Sequence, residues 1–182
     1  MKGIVFNLLE EVVRREHGED AWDSLLEAAG LDSAYTSLGS YADEELMKLV
    51  VAAASATNTR PDAVLRWFGR KAIPLLAEKY PVFFAGSKSA RPFLLTLNEI
   101  IHPEVRKLYP GAVVPMFDFD ASRPDSLLVG YRSERKLCAL AQGFVEGAGD
   151  HYGEKLAFEQ LQCMHRGDEK CVFQIGFPSS SR

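Results

Sequence analysis

The sequence predicts an α+β fold, with a helical N-terminal part over about residues 1–109 followed by a four-stranded antiparallel sheet with one long helix over about 110–177. Three observations predict it. Apolar residues repeat at helical spacing as far as Leu108. From Pro110 onward they fall instead into short runs that read as strands, interrupted by a single helical stretch. The chain has 182 residues, 47% apolar and 25% charged, which suits one globular domain able to bury a core or enclose a cofactor. No repeat, low-complexity linker or shift in composition divides residues 1–182 further.

The elements follow in order. Ile4, Val5, Leu8, Leu9, Val12 and Val13 make one apolar face of a first helix. A short second helix carries Trp22, Leu25, Leu26 and Ala29, and Gly30 sits where a C-terminal cap belongs. The third runs from about Asp43 to Thr57 with Leu46, Met47, Val50, Val51 and Ala54 inward. Pro61 is placed to open a fourth, which buries Val64, Leu65 and Phe68, because a first-turn residue has no use for the N–H that proline lacks. A fifth follows over about Lys71 to Lys79, with Pro74 inside it or kinking it, and a sixth from about Arg91 to Leu108 holds His102. Asn98, one turn before His102 on the stripe Leu94, Asn98, Ile101, Val105, Leu108, is odd for a packed face. Pro103 should distort this helix at His102, since it deletes one hydrogen bond and clashes with the Glu99 carbonyl.

Strands are expected at Met116–Asp120, Ser126–Tyr131, Lys155–Leu161 and Cys171–Phe177, with a helix from about Glu134 to His151. Gly143, Gly147 and Gly149 are costly in that helix unless a flat ligand or another backbone comes close. Arg166-Gly167-Asp168-Glu169 reads as the turn joining the last two strands, and the tail from Pro178 to Arg182 reads as a frayed terminus.

Composition excludes several function classes. The formal charge of −4 is spread without a basic cluster, so no nucleic-acid partner is expected. The longest apolar run, Leu49 to Ala54, is far short of a membrane span, and charged residues interrupt the N-terminus too early for a signal peptide. Three cysteines, an odd number, point to a reducing cytoplasm rather than a disulfide scaffold.

The chemistry concentrates in Tyr131-Arg132-Ser133-Glu134-Arg135 and in His102. On an extended segment Tyr131, Ser133 and Arg135 project to one side and present two hydroxyls and a guanidinium fork, donors suited to paired carboxylates. A cofactor with two carboxylates on one edge needs such a clamp, and haem with its two propionates is one. The bland reading is a polar strand edge. A neutral imidazole on a rigid helix can hold a haem iron from one side, against the bland reading of a core-edge histidine bonded to a carbonyl.

Taken together, Met1-Lys2-Gly3 with the amphipathic first helix, Tyr80-Pro81-Val82-Phe83-Phe84-Ala85-Gly86, Ile101-His102, the run from Leu108 to Pro115 and Tyr131-x-Ser133-x-Arg135 resemble the H-NOX (haem-nitric oxide/oxygen binding) family over essentially the whole chain. These are bacterial relatives of the haem domain of soluble guanylate cyclase. The resemblance implies one non-covalent b-type haem between the helical and sheet-containing parts. His102 would be its proximal ligand, Tyr131, Ser133 and Arg135 its propionate clamp, and Pro115 the residue that presses on it. No Cys-x-x-Cys-His motif suggests covalent attachment.

The resemblance also bears on the gas. Oxygen-binding members carry a tyrosine at the position matching Leu140, with its polar support at the position matching Ala72; Val5, Leu9, Leu76 and Phe144 would complete an apolar wall. A sensor that binds nitric oxide and carbon monoxide and largely ignores dioxygen is therefore expected, since bound dioxygen needs a hydrogen-bond donor. In NO-sensing members NO weakens or breaks the bond to the proximal histidine, which would relax the distortion imposed by Pro115 and shift the helical part. Pro103 is expected to strain the same bond. No cyclase, kinase or phosphodiesterase segment follows Phe177, so no catalysis is expected here. The implied output is a partner in trans, such as a histidine kinase or a cyclic-di-GMP-metabolising enzyme.

Cys163 and Cys171 flank Gly167 symmetrically, so the hairpin should set them opposite one another, with Cys138 arriving from the preceding helix. Some NO-sensing members hold zinc with the matching cysteines and a histidine. Gln160 stands at that histidine's position and His165 is a candidate replacement. Zinc, a redox-sensitive Cys163/Cys171 pair and three inert thiols all remain open. An alternative reading makes the chain a small-molecule or thiol-redox module, related to the vinyl-reductase-like fold, with the hairpin as sensor and His102 as packing. A haem peroxidase is disfavoured for want of a distal histidine–arginine pair.

Overall fold

In the computed structural model, which describes residues 1–178, eight α-helices and a four-stranded sheet follow the expected division of the chain. The four residues after 178, in the expected frayed tail, lie outside the described part. Helices α1 (Gly3–His17), α2 (Ala21–Ala29) and α3 (Asp43–Thr57) pack with α4 (Pro61–Lys79) around Phe6, Leu46, Leu49 and Phe68. Gly30 closes α2 in the left-handed conformation with φ 64°, which glycine adopts without the Cβ penalty. On α3 the buried stripe is Leu46, Leu49, Val50 and Ala54, whereas Met47 and Val51, expected inward, are exposed. Only the stripe between α2 and α4 is covered, and the unbroken apolar run from Leu49 to Ala54 does not reveal where that stripe begins.

The expected fourth and fifth helices are one. Pro74 sits inside α4 with its ring toward solvent, and the helix runs on through it. Its packing along α8 (Cys138–His151) supports the helix through that point. A Cβ on Gly143 would stand 2.1 Å from the Arg66 carbonyl oxygen, and one on Gly69 would stand 2.4 Å from that of Leu140. The neighbour that these glycines make room for is thus a second backbone rather than a flat ligand. The Arg70 carbonyl, which Pro74 leaves without its helical N–H, lies against Gly147 of α8. Arg66–Glu146 and Arg70–Asp150 ion pairs border the seam.

The expected sixth helix is broken into three pieces. After α5 (Pro81–Ala85), α6 (Ala90–Leu95) gives way to a π-helical turn over Leu97–Ile101, and α7 (His102–Leu108) begins at the histidine. Pro103 then occupies the second position of α7, where its missing N–H costs nothing. The wider turn upstream absorbs the clash that a continuous α-helix would have met at Glu99. It also rotates Asn98 out of the apolar face, so that its Nδ2 donates to the Phe117 carbonyl at 2.7 Å.

Strands β1 (Met116–Asp120), β2 (Ser126–Arg132), β3 (Ala157–Gln162) and β4 (Cys171–Gly176) pair antiparallel in the order β1-β2-β4-β3. The second core lies between this sheet and α8, around Leu127, Phe173 and Ile175. Leu76 and Phe144 touch both cores.

Candidate functional site

Between the two cores lies a cavity of about 460 Å³, within the range usual for ligand sites. Its chemistry is unequal from side to side. Every residue that α1, α4 and α8 contribute to it is apolar, including Val5, Leu8, Leu76, Leu140 and Phe144. Leu9, expected on that wall, is buried in the helical core instead, and Ala72 is buried beside it; Leu8 is the α1 residue that reaches the cavity. The polar side chains come from Lys2 and Ser40 at one edge, from Tyr80 and Tyr109, from His102 of α7, and from Tyr131, Ser133 and Arg135 at and after the end of β2.

His102 lines the cavity from the first turn of α7. Its ring stacks on Phe117 with centroids 5.6 Å apart and planes at 24°. Among the described residues no hydrogen bond is made by either ring nitrogen. Burial, and then the nearby positive charge of Arg106, lower its pKa to about 4. The imidazole is therefore neutral at physiological pH, with a lone pair available for a metal. Asn98 pins the turn before it to β1, which fixes where the ring stands.

Tyr131, Ser133 and Arg135 do share the cavity wall, though not by strand alternation. Strand β2 ends at Arg132, and the chain then turns, with the Lys136 N–H donating to the Ser133 carbonyl and Lys136 in the left-handed region at φ 51°. The same turn delays α8 to Cys138, four residues after the expected start. Tyr131 is buried at 3% exposure, and burial pushes its phenol up to about 12, so it remains a donor. Arg135 Nη1 donates to the Val113 carbonyl at 3.0 Å. Its Nε lies buried 2.8 Å from Asp43 Oδ2, yet its N–H is not aligned on that oxygen and has no acceptor. Asp43 also accepts from the N-terminal ammonium at 2.6 Å. Burial raises the Asp43 carboxyl, but its contacts with the ammonium and Arg135 outweigh that and hold it below the ordinary carboxylate range.

Asp43 was legible in the sequence only as a helix-start residue, because its partner Arg135 is brought to it by the fold. A largely apolar cavity, an unbonded imidazole, two hydroxyls and a guanidinium with an orphaned N–H fit an apolar ring with an anionic edge. Pro115 stands on the same wall, in the irregular segment before β1.

A second cluster lies beside the site, at the end of the sheet where Tyr131 of β2 pairs with Cys171 of β4. The sulfur atoms of Cys138, Cys163 and Cys171 lie within 4.8 Å of one another, and all three residues are buried free thiols. Cys163 does not pair opposite Cys171: the ladder shifts between Gln160 and Gln162, and Cys163 leaves the strand ahead of a 3₁₀ turn at Met164–Arg166. The Met164 N–H points to the Cys171 sulfur at 3.4 Å. Burial, and then the neighbouring Cys163, push the Cys138 thiol up, and burial first of all pushes Cys171 up to about 12. His165 is turned away, with Nε2 2.7 Å from the Lys136 carbonyl oxygen. The Gln160 side chain reaches Cys138, while its Nε2 is buried without a partner.

Fold and cavity together define a domain built to hold a cofactor of the haem class. Residues 2–160 match the model of the family described as haem-NO-binding. The chain belongs to that family, H-NOX, and is a haem gas-binding domain. It is similar to an H-NOX protein from S. oneidensis solved in the Fe(II)NO ligation state, with 30% identity, a TM-score of 0.91, and 98% of this chain and 100% of that one covered. A solution structure of an H-NOX domain from Shewanella oneidensis in the Fe(II)CO state also matches, with 30% identity, a TM-score of 0.90, and 99% and 100% covered. An unliganded Fe(II) H-NOX protein mutant from K. algicida matches at 25% identity, with a TM-score of 0.84 and 100% and 98% covered. Among the described residues no helix is long and apolar enough to cross a membrane.

Proposed function

We propose that this domain is a sensor of nitric oxide, also able to take carbon monoxide, that discriminates against dioxygen and passes its state to a partner protein in trans. A ferrous b-type haem, when bound, would supply an iron atom able to take a diatomic gas. His102 would hold it from α7, and Tyr131, Ser133 and Arg135 would tie its propionates. Similarity to proteins solved in NO and CO ligation states supports the choice of gases.

The observation that carries the discrimination is the apolar wall. The side chains that helices α1, α4 and α8 offer the cavity carry no hydroxyl, amide or charge, and by family resemblance Leu140 stands where oxygen-binding members carry a tyrosine. NO binds ferrous haem without a donor, whereas dioxygen depends on one. The reading is tested by absorption spectra of the purified ferrous protein under air, then CO, then NO. The Soret band should shift with CO and NO and show no stable dioxygen form; a stable oxygenated spectrum would overturn the selectivity.

Signalling would depend on His102, which would hold the iron, and on Pro115, which would press on the haem from the same wall, with the helical part carrying the change to the partner. A histidine kinase or a cyclic-di-GMP enzyme is the partner class the family resemblance supports.

Zinc is the proposed occupant of the Cys138, Cys163 and Cys171 cluster. Three thiols converge there, and a bound cation would oppose the effect of burial that raises Cys138 and Cys171. His165 is not the fourth ligand, leaving that position to Gln160 or to solvent. Elemental analysis of protein purified without chelator should find about one zinc per chain, lost on replacing Cys138 by alanine. A metal-free result would favour the thiol-redox alternative centred on Cys163 and Cys171.

A further inference from the structure

The short helix that carries His102 is held at its two ends rather than along its length. None of the residues of α7 is fully buried, so little packing fixes it. At its start, the preceding turn is pinned to β1 through Asn98. At its end, Tyr109 caps the helix, donating its N–H to the Val105 carbonyl at 2.9 Å. His102 and Tyr109 are about two turns apart on one face, and both line the cavity.

Tyr109 is buried at 8% exposure, and its hydroxyl is hydrogen-bonded to that of Tyr80. Tyr80 is the hinge residue between α4 and α5, with its N–H on the Leu76 carbonyl at 2.8 Å and its ring stacked on Phe83. The hydroxyl pair therefore joins the end of the histidine helix to the end of α4. That helix contributes Leu76 to the apolar wall and packs along α8. Burial, and then the Tyr80 hydroxyl, push the Tyr109 phenol up, so it keeps its proton at neutral pH.

We infer that Tyr80 and Tyr109 are positioning residues whose hydroxyl pair locks α7 to α4 and sets how readily His102 lets go of iron. The inference rests on the reading of His102 as the ligand. With the lock in place, the imidazole is presented at little further cost in entropy, and its release moves α7 and α4 as one body. Without it, α7 is anchored only at its start, and holding the imidazole orders a looser helix.

The test uses the haem-loaded ferrous protein and the variants Tyr80→Phe, Tyr109→Phe and the double variant. Phenylalanine keeps the ring packing, and the double variant leaves no orphaned hydroxyl. Amide hydrogen exchange over residues 102–108 should quicken about threefold to tenfold in all three, the worth of one net hydrogen bond, with α3 unchanged. The double variant should match the singles, because one shared bond is lost. In absorption spectra after NO treatment, the share lacking the imidazole should rise by a similar factor. Unchanged exchange in α7, or single effects that add, would overturn the lock. Quicker exchange with unchanged NO spectra would overturn the positioning role while leaving the haem reading intact. A His102→Gly protein with unaltered haem spectra would instead defeat the ligand reading, and exchange in the tyrosine variants would still report on the lock.

Discussion

Arg135 shows how much of a side chain's work is set by its neighbours. The guanidinium was legible in the sequence as a carboxylate clamp, but the fold also gives it Asp43, which shares the N-terminal ammonium. Because the Asp43 pKa is depressed in the fold, its contribution to stability is present above the unfolded value of about 4 and is lost as pH falls through the lower folded value. Urea unfolding midpoints of wild type and Asp43→Asn should therefore differ most near neutral pH and converge at the acid end. At the apolar wall, Leu140→Tyr would add the one donor that α8 lacks. The variant should form an oxygenated spectrum in air that the wild type does not, as stopped-flow mixing of the ferrous protein with oxygen would show.

Elements were legible to the extent that their signals were local. The limits of α3 and β1 agree with the sequence reading to the residue, because each is bounded by clear polar or turn residues. The division expected before Lys71 is absent, and α4 runs on with Pro74 inside it, its packing along α8 offsetting one lost hydrogen bond. Pro103 signalled a distortion, but the π-helical form follows from where Asn98 and His102 must point. The seam of α4 and α8 carries the sharpest prediction at this scale. Gly143→Ala places a methyl where Arg66 has its carbonyl oxygen, forcing the helices apart. It should cost about 1–3 kcal/mol, the usual range for overpacking, measured by denaturant unfolding of the haem-loaded protein. The loss of Soret intensity should accompany it, because Leu140 and Phe144 ride on the same helix.

At the scale of the whole molecule, two cores meet across a cavity that a cofactor would fill. A ligand that binds the folded chain alone stabilises it by mass action, roughly 2.7 kcal/mol at a hundredfold excess over its dissociation constant. Haem-free protein should therefore melt at a lower temperature than the loaded form, and calorimetry of the two should show the gap closing on titration with hemin. Equal melting temperatures would mean that the cavity does not depend on its cofactor.

The amino-acid sequence alone determined the two textures of the chain, the imidazole, the hydroxyl and guanidinium donors, the three thiols and the family to which they belong. These rest on side-chain chemistry and on periodicities that neighbouring residues express together. Tertiary structure decided that Asp43 meets Arg135, that α4 and α8 touch backbone to backbone, that Leu8 rather than Leu9 faces the cavity, and that Tyr80 meets Tyr109. Each of those joins segments far apart in the chain, and such contacts exist only once the helices and sheet have packed.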